Sequence, residues 1–355
     1  MRIEDIDKNL KVETALGRDD LVFADVRSDP FRVYGLYDYK NQPVFRRLPE
    51  EIARATNPGV YDLHTNTAGG RVRFSTDSLY IAIRCRMPRI TRMSHMAFTG
   101  IAGFDLYEHQ HGLDLYRQTF IPPFDMTECY SSMHLVSEDG AMHNYTIHFP
   151  LYNDIESLEI GLVSGSRLEA GPAYADIKPI VYYGSSITQG GCASRPGNAY
   201  QNIISARRNY DHINLGFSGS AWAEDVIAEY IAGLEMSVFV CDYDHNAPDQ
   251  HHLEKTHERL YRTVRDKHPN LPILFISKAD YLAHETTIWR RDVIFNTYRK
   301  AYDENRRVGY IDGYAMYGVS WRDACTVDGT HPNDAGFLRM ADVIGPEIER
   351  LLRMA

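Results

Sequence analysis

The hydrophobic pattern of this 355-residue chain changes character once, near Ala170-Gly-Pro172. Before that point apolar residues alternate with polar ones or cluster in short runs, as they do in half-buried strands. Val60-Tyr-Asp-Leu63, Arg71-Val-Arg-Phe74, Leu79-Tyr-Ile-Ala-Ile-Arg84, Gly103-Phe-Asp-Leu-Tyr107, Tyr145-Thr-Ile-His-Phe149 and Leu158-Glu-Ile-Gly-Leu162 are such runs. Turn signals separate them, among them Asn66-Thr-Ala-Gly-Gly70, Asp77-Ser78, Glu138-Asp-Gly140 and Asn153-Asp154. Only Leu48-Pro-Glu-Glu-Ile-Ala-Arg54 reads as a brief helical turn. Several short strands at this spacing predict an all-β, jelly-roll-like sandwich of two sheets.

After Pro172 apolar strands alternate with amphipathic helices. The pattern predicts strands over 179–183, 212–216, 237–242, 272–277 and 308–312, and helices over 197–209, 223–234, 249–268, 286–306 and 334–353. Pro196 before one helix, Asn270-Leu-Pro272 after another and Pro332-Asn-Asp-Ala335 at the opening of the last support these boundaries. Five strand–helix units in succession imply a doubly wound parallel sheet, a flavodoxin-like three-layer α/β unit. Single cores stop growing near ~250–300 residues. The chain is therefore expected to divide into a sandwich over 1–172 and an α/β domain over 173–355.

Composition narrows the classes of function. Hydrophobic residues make up 44% and charged ones 24%, ordinary globular values that indicate no disordered domain. A net charge of −10 argues against a nucleic-acid binder, which would carry a basic face. No apolar run approaches the ~20 residues of a membrane span, and Met1-Arg-Ile-Glu-Asp-Ile-Asp-Lys8 lacks the apolar stretch of a leader. A cytoplasmic protein with no membrane partner is the expectation. Cys85, Cys129, Cys192, Cys241 and Cys325 are odd in number and form no C-x-x-C pair, which fits reduced thiols. Asp242, Asp244, His245, His251 and His252 straddle a strand end and a helix start without ligands paired on one face, so they read as a solvated helix entry and no metal is expected.

The chemistry gathers at strand ends. The run Ile180-Val-Tyr-Tyr-Gly184 stops in Ser185-Ser186, and a serine at the carboxyl end of a parallel strand lies where open α/β sheets place their ligands. Asn214-Leu-Gly-Phe-Ser-Gly-Ser-Ala221 follows the next strand, Cys241-Asp-Tyr-Asp-His-Asn246 the third, and Asp328-Gly-Thr-His331 precedes the last helix. All four segments can converge on one rim.

In order and content these segments resemble the four blocks of the SGNH (GDSL-like) hydrolase superfamily. Ser186 aligns with its nucleophile, Gly219 with the glycine of block II, Asn246 with the asparagine of block III, and Asp328 with His331 with the Asp-x-x-His of the last block. Position 185 departs from the usual aspartate, and Asp244-His-Asn246 from the common Gly-x-Asn-Asp. Gly103-Phe-Asp-Leu-Tyr107 resembles the signature of the β-rich domain that precedes certain bacterial esterases of this superfamily, so the likeness covers most of the chain. It implies a serine esterase without cofactor. Histidine is the side chain that titrates near neutrality, which suits His331 to deprotonate the serine, with Asp328 orienting its ring. Ser186 N–H, Gly219 N–H and the Asn246 amide would stabilise the oxyanion, each donor being worth on the order of 3 kcal/mol.

Taken singly, these residues also fit plainer roles. Gly219 and Asn246 suit turns, Asp328 a loop cap and His331 a helix entry. Trp222 and Trp321 offer platforms for a sugar ring or acyl group, or core packing for at least one of them. Arg195 offers an anchor for an anionic group or a surface ion pair. The resemblance points to short acyl groups such as acetyl on carbohydrate, with a small-molecule or oligosaccharide ester as the substrate. The alternatives are a lysophospholipase or thioesterase for longer chains, and a catalytically silent carbohydrate-binding protein. The sandwich is free to bind glycan, complete the active-site wall or form a homo-oligomer.

Overall fold

The computed structural model describes residues 6, 7, 11, 12, 15–280, 282, 285–304 and 307–354. Most of the opening stretch read above for a leader lies outside them, as does the last part of the helix expected over 286–306.

Ten strands build the first half: β1 (Leu21–Asp25), β2 (Arg32–Tyr34), β3 (Arg71–Thr76), β4 (Tyr80–Arg86), β5 (Phe104–Gln110), β6 (Leu113–Phe120), β7 (Cys129–Leu135), β8 (His143–His148), β9 (Ser157–Val163) and β10 (Leu168–Ala170). They form two antiparallel sheets, ordered β1-β9-β4-β7 and β10-β3-β8-β5-β6, with β2 beside β3. Phe74, Leu106 and Ile147 of one sheet and Ile81, Ile83 and Ile160 of the other lie in a single buried apolar cluster. Three short helices interrupt the strands: α1 (Glu50–Thr56), α2 (Pro58–Leu63) and α3 (Phe98–Ala102). Helix α2 corrects the strand expected over Val60–Leu63. Asn57 caps it by accepting from Val60 N and Pro58 occupies its first turn, a local start signal that overrides the alternating pattern.

The second half alternates as expected. Strands β11 (Ile180–Gly184), β12 (His212–Gly216), β13 (Val238–Asp242), β14 (Ile273–Ile276) and β15 (Val308–Ile311) pair in parallel in the order β12-β11-β13-β14-β15. Around them run α4 (Ser186–Gln189), α5 (Tyr200–Arg208), α6 (Asp225–Ala232), α7 (Gln250–Lys267), α8 (Glu285–Asp303) and α9 (Asp334–Leu352). Strand order reverses direction between β11 and β13, the switch point at which such sheets bind ligands. No helix among the described residues is long and apolar enough to cross a membrane. All five cysteines are free thiols, and Cys129 alone is exposed.

The open edge of the parallel sheet is not left to solvent. Every second residue of β12 turns its backbone outward. Arg47 Nη1 donates to the carbonyls of Asn214, at 3.2 Å, and Gly216, while Arg71 Nη1 donates to that of His212 at 3.1 Å. Both arginines come from the first half and are buried. Arg71 also pairs with Asp211, and Arg73 reaches Asn209 Oδ1 at 2.8 Å. Arg47 and Arg71 thus fasten the sandwich to the edge strand, and Arg73 fastens it to the end of α5.

Candidate active site

Strand β11 runs directly into α4, and Ser185 is the N-cap: its hydroxyl accepts from Ile187 N at 3.2 Å. Serine performs here the capping that aspartate would perform. Ser186 follows as the first residue of the helix, so its N–H has no partner within the helix. Its side chain stands at the carboxyl end of the sheet, and the residue is only 4% exposed.

The loop before α9 brings the histidine. His331 Nε2 lies 2.9 Å from Ser186 Oγ, and His331 Nδ1 lies 2.7 Å from Asp328 Oδ2. Asp328 Oδ1 accepts from Thr330 N at 3.0 Å and from His331 N at 2.8 Å, so the carboxylate closes the turn that carries the imidazole. Partial burial opposes the charge of Asp328, but the His331 N–H, the His331 ring and the Thr330 N–H outweigh it and hold the carboxyl at about 2. An ionised Asp328 keeps the proton on Nδ1 and leaves the Nε2 lone pair to the serine.

Two further loops reach the same rim. Gly219 has φ +69, a backbone conformation that side chains rarely adopt. A Cβ there would meet nothing within 4 Å, so the turn demands the glycine, rather than crowding by the protein. Asn246 ends a short 3₁₀ turn (Asp244–Asn246) after β13. Its Oδ1 accepts from Ala221 N at 3.4 Å, which ties this loop to the one after β12 and leaves its NH2 for another acceptor. Gln189 ties α4 in turn: Oε1 accepts from Ser218 N at 3.0 Å, and Nε2 donates to Asn66 Oδ1 at 3.2 Å. Burial first, then Lys278, Arg290 and His331, push the neighbouring His245 down to about 3 against the pull of Asp328, so a neutral ring stands next to the asparagine, and Arg290 Nη2 donates to the Ala247 carbonyl at 2.9 Å on its other side.

The remaining expected residues fall differently. Neither tryptophan belongs to the core: Trp222 is 38% and Trp321 77% exposed. The Trp222 indole N–H donates to the Gly219 carbonyl at 3.2 Å, bracing the block II turn. Arg195 is not a free anion anchor. Its Nη1 donates to Asp105 Oδ2 at 3.0 Å and to Tyr107 Oη at 2.6 Å, and its guanidinium lies 3.9 Å from the Tyr116 ring centroid. The suspected metal residues also have other partners: Asp242 accepts from Thr188 Oγ1, and His252 Nε2 bonds the Trp222 carbonyl.

Those contacts explain Gly103-Phe-Asp-Leu-Tyr107. Buried Asp105 accepts from Thr119 Oγ1 at 2.7 Å and from Gly197 N at 2.8 Å, besides Arg195. Tyr107 packs so closely on Gly197 that a Cβ there would sit 2.2 Å from its hydroxyl. The motif is thus a clamp on the segment that follows α4. One residue without any sequence signal also stands at the site: the His95 ring, from the first half, lies 5.5 Å from that of His331.

Residues 177–349 match the sequence model of the GDSL-like lipase/acylhydrolase family, and residues 21–168 match that of the GxDLY N-terminus of SGNH hydrolase-type esterases. Among solved structures, a protein described as a GDSL-like lipase from Bacteroides ovatus is 27% identical with a TM-score of 0.84, over 94% of this chain and 98% of its own. A salicylyl-acyltransferase from a tetracycline biosynthetic pathway is 18% identical with a TM-score of 0.75, over the same shares of 94% and 98%. An acetyl xylan esterase from the rumen bacterium Butyrivibrio proteoclasticus is 13% identical with a TM-score of 0.56, over 94% and 100%. The latter two are likenesses of fold. No curated protein matches the sequence. The chain belongs to the GDSL-like (SGNH) lipase/acylhydrolase family and is a carboxylic ester hydrolase whose parallel-sheet domain follows a GxDLY domain.

Proposed function

We propose that this hydrolase removes short acyl groups, acetyl above all, from carbohydrate through an acyl-serine on Ser186, with its two domains divided at Pro172. The observation that carries the mechanism is the hydrogen-bonded chain Ser186 Oγ to His331 Nε2 at 2.9 Å and His331 Nδ1 to Asp328 Oδ2 at 2.7 Å. Ser186 Oγ attacks the ester carbonyl as His331 takes its proton, and Asp328 stabilises the imidazolium. The tetrahedral oxyanion rests on the Ser186 and Gly219 N–H groups and the Asn246 amide. Collapse breaks the bond to the alcohol, which leaves with the proton from His331. Water repeats the sequence on the acyl-serine and releases the acid.

The protonated imidazole hands its proton to the departing alcohol, so the alcohol leaves beside His331. A hollow of about 460 Å3 opens next to that ring from His95 and Cys192 and is bordered by Ser194, Asn333 and Asp334. Its lining mixes these polar groups with Ala97, Val327 and Ala335, so it offers hydrogen-bond partners to a hydroxyl-bearing alcohol beside small apolar contacts. The fold shared with the acetyl xylan esterase supports the same reading.

The test is hydrolysis of aryl esters from acetyl to dodecanoyl, followed by acetylated xylo-oligosaccharides. Acetyl is expected to be fastest, and Ser186→Ala to lose about 10,000-fold or more in kcat with its fold intact. Preference for long chains would transfer the protein to the lysophospholipase or thioesterase class. Silence of both proteins would make it a binding protein.

A further inference from the structure

His95, Cys192 and His331 each present a donor atom, and the three atoms lie within 4.8 Å of one another. No other such trio of histidine, cysteine or carboxylate donors occurs among the described residues. The donors come from separate stretches: His95 from between β4 and α3, Cys192 from the turn after α4, His331 from the loop before α9. Cys192 Sγ–H donates to the His95 carbonyl at 3.4 Å, which holds the two segments together. We propose that this trio is a binding site for a borderline-soft divalent cation, zinc above all, and that the bound cation silences the esterase.

Two imidazoles and a thiolate with an open fourth position form a zinc donor set, with bonds of about 2.0–2.1 Å to nitrogen and about 2.3 Å to sulfur. Tetrahedral angles at those lengths separate the ligands by roughly 3.3–3.8 Å. The 4.8 Å limit therefore leaves up to about 1.5 Å for side-chain movement to close, and His95 is exposed. The donor atom of His331 is already decided. Asp328 accepts from Nδ1, so Nε2 offers the lone pair, in the carboxylate–histidine–metal arrangement that orients ligands in metal sites. Ser186 Oγ uses that same lone pair, so serine and cation exclude each other.

Cys192 is not glycine, yet its φ is +74, in the left-handed region that L side chains rarely adopt. On binding, the thiol proton passes to solvent as the sulfur–metal bond forms, and no electron is transferred.

Ser186→Ala keeps all three donors and cannot turn over, so binding can be read without catalysis. Titrated with Co2+, this variant should show a near-ultraviolet thiolate-to-cobalt charge-transfer band at one equivalent, and Zn2+ should displace it. The band should vanish when Cys192→Ser is added, and His95→Ala, on an exposed loop, should weaken cobalt binding by about tenfold or more. In the wild-type enzyme Zn2+ should inhibit aryl acetate hydrolysis and a chelator should restore it. Half-inhibition of the His95→Ala enzyme, measured against its own metal-free rate, should need about tenfold more zinc or beyond. Absence of the cobalt band, or equal zinc sensitivity without His95, overturns the proposal. The cobalt readout stands even if the esterase reading fails, and substrate hydrolysis stands even if no cation binds.

Discussion

At the scale of single residues, the site rests on how Asp328 divides its two oxygens. Oδ1 serves the turn and Oδ2 serves the ring, so one side chain both shapes the loop and sets the tautomer. Asp328→Asn would keep a loop acceptor but set an amide against His331 Nδ1. Its kcat on aryl acetate should fall by about 10³–10⁴-fold with little change in KM. The same carboxylate links acidity to stability. Its folded pKa of about 2 lies below the unfolded value of 3.8, so its contribution is present above about pH 4 and is lost as pH falls toward 2. The substitution should therefore lower the urea midpoint at pH 7 and lower it less at pH 3; equal losses at both would contradict the pairing. The meeting of Ser186 and His331 was legible because both segments fall at the carboxyl rim of the parallel sheet. Arg195 was not, because a lone arginine in a loop carries no sign of the buried aspartate that it meets across the fold.

At the scale of elements, Asp105 and Tyr107 of β5 hold residues 195–197, just beyond the turn that ends α4. Asp105 is fully buried and accepts from three donors, one of them the Arg195 guanidinium. Asp105→Asn would leave Arg195 unneutralised and set an NH2 against N–H groups. A loss of about 3–5 kcal/mol in unfolding free energy is expected, together with reduced kcat/KM as the segment loosens. Loss of less than about 1 kcal/mol would mean that the clamp is dispensable. Period and turn chemistry gave the α/β half almost element by element, since strands buried on both faces and amphipathic helices have distinct periods. The sandwich was harder. Arg71 and Arg73 alternate with Val72 and Phe74, which reads as a solvated face, yet Arg71 meets β12, Arg73 meets Asp114 and Asn209, and both are fully buried. Val60–Leu63 alternates like a strand, but Asn57-Pro58 starts a helix there.

At the scale of the whole molecule, the two domains are not independent bodies. One apolar cluster continues from Phe31, Phe74 and Ile147 of the sandwich to Ile180, Tyr182 and Leu351 of the α/β domain. The arginines that cap β12 add polar closure to that shared core. The division expected from chain length is therefore a division of topology rather than of packing. Arg47 is fully buried among carbonyls, and burial lowers its pKa to about 9, the mark of a cation kept for its hydrogen bonds. Residues 173–355 expressed alone should expose the β12 edge and the joined core, and should aggregate or self-associate by light scattering. A monodisperse, active fragment would contradict the shared core.

The central claim is that Ser186 carries the acyl group. Rapid quenching of the full-length enzyme with an aryl acetate, followed by mass spectrometry of the intact and digested protein, tests it directly. The account requires one acetyl group per chain, located on Ser186, accumulating with a burst of aryl alcohol and absent in Ser186→Ala. Turnover with no adduct at any time, or an acetyl group on another side chain, would contradict it.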